Sequence, residues 1–526
     1  MLGAQRALTK LRTSVVRRGI SAVSGLLLAG ACIAGCATSP ARFPAPLVVR
    51  TEDAEVVLAY DTNNDRRVDY WQYQGADGRK HALAYADDPT GPGARIELDQ
   101  VPAADCPHLL LVLDGVPFDV VADMYRDGHF RLFYPPVRVV CCFPSMTDLA
   151  LNELFHAGPG LGYQALYYDR AAERLSDGHA TYLRGDNSPW LAHVHYRCSL
   201  AWDMLVYLDP QTVFHHELTQ IARRFAEFER GLVRTYSVGT AGLGTRGGRA
   251  AIEKYLADVD RFCEQLVYER RGAIKITLTA DHGHNLTTNR RVDFDQVLRA
   301  GGYRPARRLA SPRDVVTISY GLVTYAEFHT RDPAGVARCL LDQPDVEFAC
   351  FPDGDQVVVL NRNGQARIRR TATGYTYDCQ AGDPLGLAAV IEELRQAGKV
   401  AADGTIDEAA LFALTVTGGA SPDSSAGQLD TAVDASSYPD PLRRIWSAFH
   451  GLVRNPPDVI VNLRDGACHG SGFFHAMIRQ VSSTHGSLNR RNSLTFALTM
   501  VGRLPPALRT DELLPAVEAL SRRVAK

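Results

Sequence analysis

The sequence predicts an α/β fold: a central, mostly parallel sheet with helices on both faces, a small N-terminal β element and an inserted cap. Three observations carry this expectation. Apolar runs of strand length end abruptly in polar residues ("PHLLLVLDG", "PVRVVCCFPS", "AIKITLTADHG"), as strands buried on both faces do. Segments of helical periodicity ("SLAWDMLVYL", "HHELTQIARRFAEFERGLV", "RAAIEKYLADVDRFCEQLVYE") lie between the second run and the third. At 526 residues, the chain can hold one large domain with additions or two to three ordinary ones.

Composition narrows the class. A hydrophobic share of 46% and a charged share of 22% describe a globular protein, not a disordered or fibrous one. The net charge of -2 supplies no basic field for nucleic acid, and the pairs Arg270-Arg271, Arg290-Arg291 and Arg490-Arg491 read as solvated faces. No nucleic-acid binding is expected.

Residues 1–36 read as a signal segment. Arg6, Lys10, Arg12, Arg17 and Arg18 precede the apolar "GISAVSGLLLAGACIAGC", which is too short and too rich in small residues for a comfortable membrane span. Its end, "IAGC", resembles the lipobox of bacterial lipoproteins, which implies acylation at Cys36; an ordinary signal peptide with an incidental Cys is the plainer alternative. Residues 37–50 are Pro-rich and read as an extended tether. The expected location is the outer membrane or the periplasmic face of the envelope, with membrane contact through the lipid anchor alone. Beyond Cys32 and Cys36 nine cysteines remain, so an odd one stays free or bonds between chains; Cys141-Cys142 reads as a buried strand pair.

Residues 51–104 hold short alternating strands ("AEVVLAY", "VDYWQYQ", "KHALAYA") between Asp/Asn/Gly turns, hence a small β element. Its loop "YDTNNDRRVDYW" places Asp61, Asn63, Asp65 and Asp69 at alternating positions that suit Ca²⁺. Arg66 and Gln72 break the EF-hand pattern, and an Asx-rich hairpin turn fits equally well. Residues 105–526 form the α/β domain, interrupted at about 310–440 by strands ("VVTISYGLVTYAEF", "VEFACF", "QVVVLN", "ARIRRTATGYTY"), two helices and a Ser/Gly/Asp-rich stretch. "PDVIVNL" then returns to the strand pattern.

In such folds ligands gather beyond the carboxyl ends of the strands. There the chain carries Asp114 in "LVLDGVP", Thr147 in "FPSMTDL", and Asp281 and His282 in "TADHG"; His485 in "STHGSLN" follows near the C-terminus. Together, over roughly residues 105–505, these motifs resemble the alkaline phosphatase superfamily, most closely its type I phosphodiesterase/nucleotide pyrophosphatase family. The resemblance implies an alkaline phosphatase-like fold, Zn²⁺, and a Thr147 nucleophile that attacks phosphorus. It also implies one metal pocket of Asp114, Thr147, Asp281 and His282, and a second that contains His485. Taken singly, each residue has a plainer role: Asp114 as a turn cap, Thr147 as a helix N-cap, Asp281 and His282 as a hydrogen-bonded strand end, His485 as a structural histidine. His284 reads as a surface turn residue.

The pattern breaks at the family's Asp-x-x-x-His element, where this chain has Ala241 and Thr245 in "GTAGLGTRGG". Neither a methyl group nor a Thr hydroxyl replaces a carboxylate and an imidazole on Zn²⁺. Asp209, His215 and His216 in "YLDPQTVFHHE" are candidate replacements at a different spacing, and Gln164 is the candidate for a missing phosphate-binding Asn. Three readings follow: a hydrolase with one Zn²⁺, a hydrolase with two Zn²⁺ completed by Asp209 and His215 or His216, or a catalytically inactive binding or structural protein of the envelope. The first is preferred, with a small phosphate ester as substrate.

Overall fold

The computed structural model describes residues 43–86, 91–418 and 436–523. The signal-like segment with Cys36, and nearly all of the Ser/Gly/Asp-rich stretch, lie outside the described residues. Among the described residues no helix is long and apolar enough to cross a membrane, and all nine cysteines are free, Cys141 and Cys142 buried.

The fold is α/β, as the strand-and-helix alternation predicts. Six strands form the central sheet in the order Gly231–Ser237, Pro107–Leu113, Lys275–Ala280, Leu494–Thr499, Val137–Val140, Ala507–Arg509. Only Leu494–Thr499 runs against its neighbours; the other three pairings are parallel. Five carboxyl ends therefore share one edge of the sheet.

The apolar run of Pro107–Leu113 is continuous because both its faces are covered. Leu109, Leu111 and Leu113 enter one core with the helices Phe118–Arg126 and Gly239–Glu269, whereas Leu110 and Val112 enter another with Thr147–Leu154 and the C-terminal helix Thr510–Arg523. One segment departs from its sequence pattern. "HHELTQIARRFAEFERGLV" stays helical only through Ala226; Gly231, at φ +83°, then turns the chain into the edge strand Gly231–Ser237.

The N-terminal element is a five-stranded antiparallel sheet that packs on the long helix Gly239–Glu269. Lys80 Nζ donates to Glu264 Oε1 at 2.6 Å, Gln72 donates to the same carboxylate, and Tyr70 packs edge-on against Tyr268 at 5.1 Å. The inserted region is a nine-stranded sheet that runs from Arg304–Pro305 to Val459–Leu463, wider than the expected 310–440. Val459–Leu463 does not rejoin the central sheet. It lies between Tyr325–Thr330 and Val346–Asp353, antiparallel to both. "VVTISYGLVTYAEF" is three strands rather than one, broken at Ser319–Gly321, where Gln164 Oε1 accepts the Gly321 amide at 2.8 Å.

The second sheet carries a pH-dependent element. Glu327 is buried and accepts a hydrogen bond from Gln164 Nε2 at 3.1 Å; burial pushes its carboxyl up to about 8 from the usual 4.5. Between those values the folded state holds a proton that the unfolded chain has released, so stability falls as pH rises through that window. Glu327→Gln keeps an acceptor oxygen and carries no charge. Denaturation midpoints measured at about pH 5 and about pH 8 are expected to fall less for this variant than for the wild type. An unchanged pH slope would contradict the assignment.

Candidate active site

The strand ends place the expected residues. Asp114 follows Pro107–Leu113, its amide bonded to Ser237 O at 3.0 Å, and Asp281 and His282 follow Lys275–Ala280. Thr147 opens the helix Thr147–Leu154, but Met146 is the N-cap and no side chain caps this helix. The Thr147 hydroxyl is therefore not engaged in capping. It lies 3.2 Å from His282 Nε2.

Local geometry fixes the rest of the motif. A Cβ on Gly283 would fall 1.8 Å from Arg491 O, so only glycine lets the chain pass after His282. A Cβ on Gly486, at φ +120°, would fall 2.7 Å from the Tyr325 ring. His282 Nδ1 donates to Gly283 O at 3.0 Å, which leaves Nε2 as a lone pair that accepts the Thr147 hydroxyl at 3.2 Å. That lone pair faces Asp281 Oδ2 at 3.3 Å and Asp114 Oδ1 at 3.8 Å.

Hydrogen-bond accounting decides whether these groups suit a cation. Asp114 Oδ2 accepts the Tyr236 hydroxyl, and Asp281 Oδ1 accepts the amides of Gly115 at 3.0 Å and His282 at 2.8 Å. The other oxygens, Asp114 Oδ1 and Asp281 Oδ2, are buried without a hydrogen-bond partner, and so is His284 Nε2. Orphaned buried polar atoms are costly, and here three gather in one place. Burial holds the imidazoles neutral, His282 down to about 4, His485 down to about 3 and His284 well below the usual range. Burial also raises both carboxyls, Asp281 up to about 6; the Asp281 charge adds to the rise at Asp114. Neutral imidazoles and carboxylates short of hydrogen bonds form the donor set that a divalent ion such as Zn²⁺ takes. The residues fit the metal that the motifs imply.

Several expectations need correction. His284 is not a surface turn residue: it is fully buried, and its Nδ1 pairs with Ser483 Oγ at 3.1 Å. A ligand atom from each of Asp114, His282 and His284 lies within 4.8 Å of the others. No local pattern marks His284: residues 281–285 are neither helix nor strand, so neither side-chain periodicity applies to them. His485 stands against the same histidines. Its ring stacks on His282 at 3.9 Å and lies 5.3 Å from that of His284, with Nδ1 held by Ser145 O at 2.8 Å.

The candidate replacements are occupied elsewhere. Asp209 caps the helix Pro210–Ala226 through the Thr212 amide, His215 faces Asp258 at 3.4 Å, and His216 stacks on Trp202 at 4.0 Å. None of the three lines the cavity above the site, whereas Ala241 and Thr245 do. Gln164 lines it too, but both ends of its amide are bonded, to Glu327 and Gly321. In the N-terminal loop, Asp61, Asn63 and Asp65 accept loop amides at 2.7 to 3.1 Å, and Asp69 binds the Thr62 amide and hydroxyl at 2.9 and 2.7 Å. These are the bonds of an Asx-rich turn.

The cavity has a volume of ≈ 1590 Å³. Asp114, Thr147, His284 and His485 line it together with apolar side chains such as Leu166, Tyr207, Leu322 and Phe474. Fold and site together define an α/β protein with a carboxylate–imidazole, cation-type pocket beside a threonine hydroxyl. Among solved structures, the chain is similar to phosphonoacetate hydrolase from Sinorhizobium meliloti in complex with phosphonoformate, at 12% identity, a TM-score of 0.40 and coverage of 81% of this chain and 98% of that one. It is also similar to human ectonucleotide pyrophosphatase/phosphodiesterase 5, at 11% identity, a TM-score of 0.40 and coverage of 79% and 94%. At these identities and scores, neither likeness carries an activity or a substrate to this chain. No family model matches the sequence, and no curated protein matches it significantly.

Proposed function

We propose that the protein is a cation-dependent hydrolase of phosphate esters in which Thr147 is the nucleophile. The observation that carries this is the Thr147 hydroxyl, free of any capping bond and hydrogen-bonded to His282 Nε2 at 3.2 Å, beside the two orphaned carboxylate oxygens of Asp114 and Asp281. Without a cation, those carboxylates would repel a phosphate anion from the hydroxyl. Asp114, Asp281 and His282 would hold a cation, which would supply positive charge to draw the ester in and weaken the hydroxyl's hold on its proton. Thr147 Oγ1 then attacks phosphorus, the P–O bond to the organic group breaks, and that group leaves as an alcohol. Water cleaves the phosphothreonine to free the phosphate and restore the hydroxyl. The apolar cavity wall receives the organic group of the ester. On this reading the protein is exported and held at the envelope through Cys36.

A second reading has one specific observation in its favour: Ala241 and Thr245 line the cavity where the motif pattern calls for ligands. It makes the protein a binding protein on the same fold. Metal analysis of the purified protein, combined with assay of p-nitrophenyl phosphate and bis(p-nitrophenyl) phosphate, separates the two. Bound metal and hydrolysis abolished by a chelator support the hydrolase. Absence of both would overturn it.

A further inference from the structure

We propose that His284 is a protein ligand of a single cation centred between Asp114, His282 and His284, and that it stands in for the ligands missing at positions 241 and 245. The inference rests on the reading of this pocket as a cation site and goes beyond it in assigning the ligand set and the number of ions.

The tautomer of His284 follows from its neighbours. Ser483 Oγ donates its one hydrogen to Asn285 Oδ1 at 3.3 Å and accepts the Leu286 amide at 2.8 Å. Its contact with His284 Nδ1 at 3.1 Å is therefore made by an N–H on the ring, which leaves Nε2 as a lone pair. That atom is buried and has no partner, and one ligand atom from each of His284, Asp114 and His282 lies within 4.8 Å of the others. Ligand atoms about 2.0–2.2 Å from one Zn²⁺ sit at such separations after small side-chain adjustments.

The imidazole occupies a slot made by two glycines. A Cβ on Gly115, at φ +68°, would lie 2.5 Å from the His284 ring, and one on Gly244 would lie 3.1 Å from its Nδ1. Gly244 belongs to the stretch of the helix Gly239–Glu269 that also carries Ala241 and Thr245. His284 thus fills the space beside the residues that no longer offer ligands. The His485 ring, stacked on His282, fixes that ligand's orientation from the side. Asp114, His282 and His284 would join Asp281, whose orphaned Oδ2 lies 3.3 Å from His282 Nε2, in holding the ion, and a zinc site of this kind takes on substrate by expanding its coordination.

The test is ion binding itself. Metal-stripped protein titrated with Zn²⁺ against a chromophoric chelator is expected to bind one ion per chain. His284→Ala is expected to lose more affinity than the about 10–100-fold that outer-shell changes cost. Because that variant leaves a void and could misfold, His284→Cys is the second arm. Loaded with Co²⁺, it is expected to show a thiolate-to-metal charge-transfer band that the wild type lacks. Wild-type affinity in a folded His284→Ala, or a His284→Cys protein without that band, would overturn the assignment of His284 and leave the proposed hydrolase standing. Two ions per wild-type chain would overturn the single-ion centre. No ion in the wild type would overturn the cation reading itself, and this inference with it.

Discussion

Thr147→Ala is expected to lower the turnover of p-nitrophenyl phosphate esters by a factor on the order of 10³–10⁶, because the atom removed is the one that bonds to phosphorus. The fold is expected to tolerate the change. Thr147 is the first residue of its helix, Met146 is the cap, and the hydroxyl makes no capping bond. The thermal midpoint should therefore move little, by the equivalent of about 1 kcal/mol or less. The cation is expected to remain bound, since Asp114, Asp281, His282 and His284 are untouched. Retained turnover at full metal content would remove Thr147 from the nucleophile role.

Asp281→Asn is expected to reverse the effect of metal on stability. In the wild type, Asp281 and Asp114 are buried beside one another, each with an orphaned oxygen, and a buried charge without a counter-ion is unfavourable. Asparagine retains a carbonyl oxygen to accept the Gly115 and His282 amides, and it removes one of the two charges. In the presence of a chelator the variant should therefore be more stable than the wild type, by about 1–3 kcal/mol. With Zn²⁺ added, the order should invert, because the wild type gains stability from the bound ion and the variant gains little. Thermal unfolding with chelator and with Zn²⁺ reads both effects. A variant that is less stable in chelator, or equally stabilised by Zn²⁺, would contradict the site.

Local chemistry made part of this site legible. Asp114, Thr147, Asp281 and His282 each follow a strand whose continuous apolar run marks it in the sequence, and parallel strands deliver their carboxyl ends to one edge. Nothing local distinguishes His284 from a turn histidine. Its role depends on Gly115 and Gly244, which lie 169 and 40 positions away in the chain and leave room for the ring. The failure of His215 and His216 as replacements was equally hidden. It comes from the face of the helix Pro210–Ala226 on which they sit, turned toward Asp258 and Trp202.

The cap shows the same division. Its strands were readable because alternation and turn residues are properties of neighbouring positions. The pairing of Val459–Leu463 between Tyr325–Thr330 and Val346–Asp353 was not, because strand partners are chosen by contacts remote in sequence. By itself, the sequence determined an α/β chain that presents carboxylates, a hydroxyl and imidazoles at its strand ends, with Ala241 and Thr245 where the resemblance leads one to expect ligands. Only the tertiary structure decided which imidazole stands in that space, where Gly115 and Gly244 leave room for the His284 ring. Coordination depends on distances of a few ångström between residues that the chain brings together only when folded.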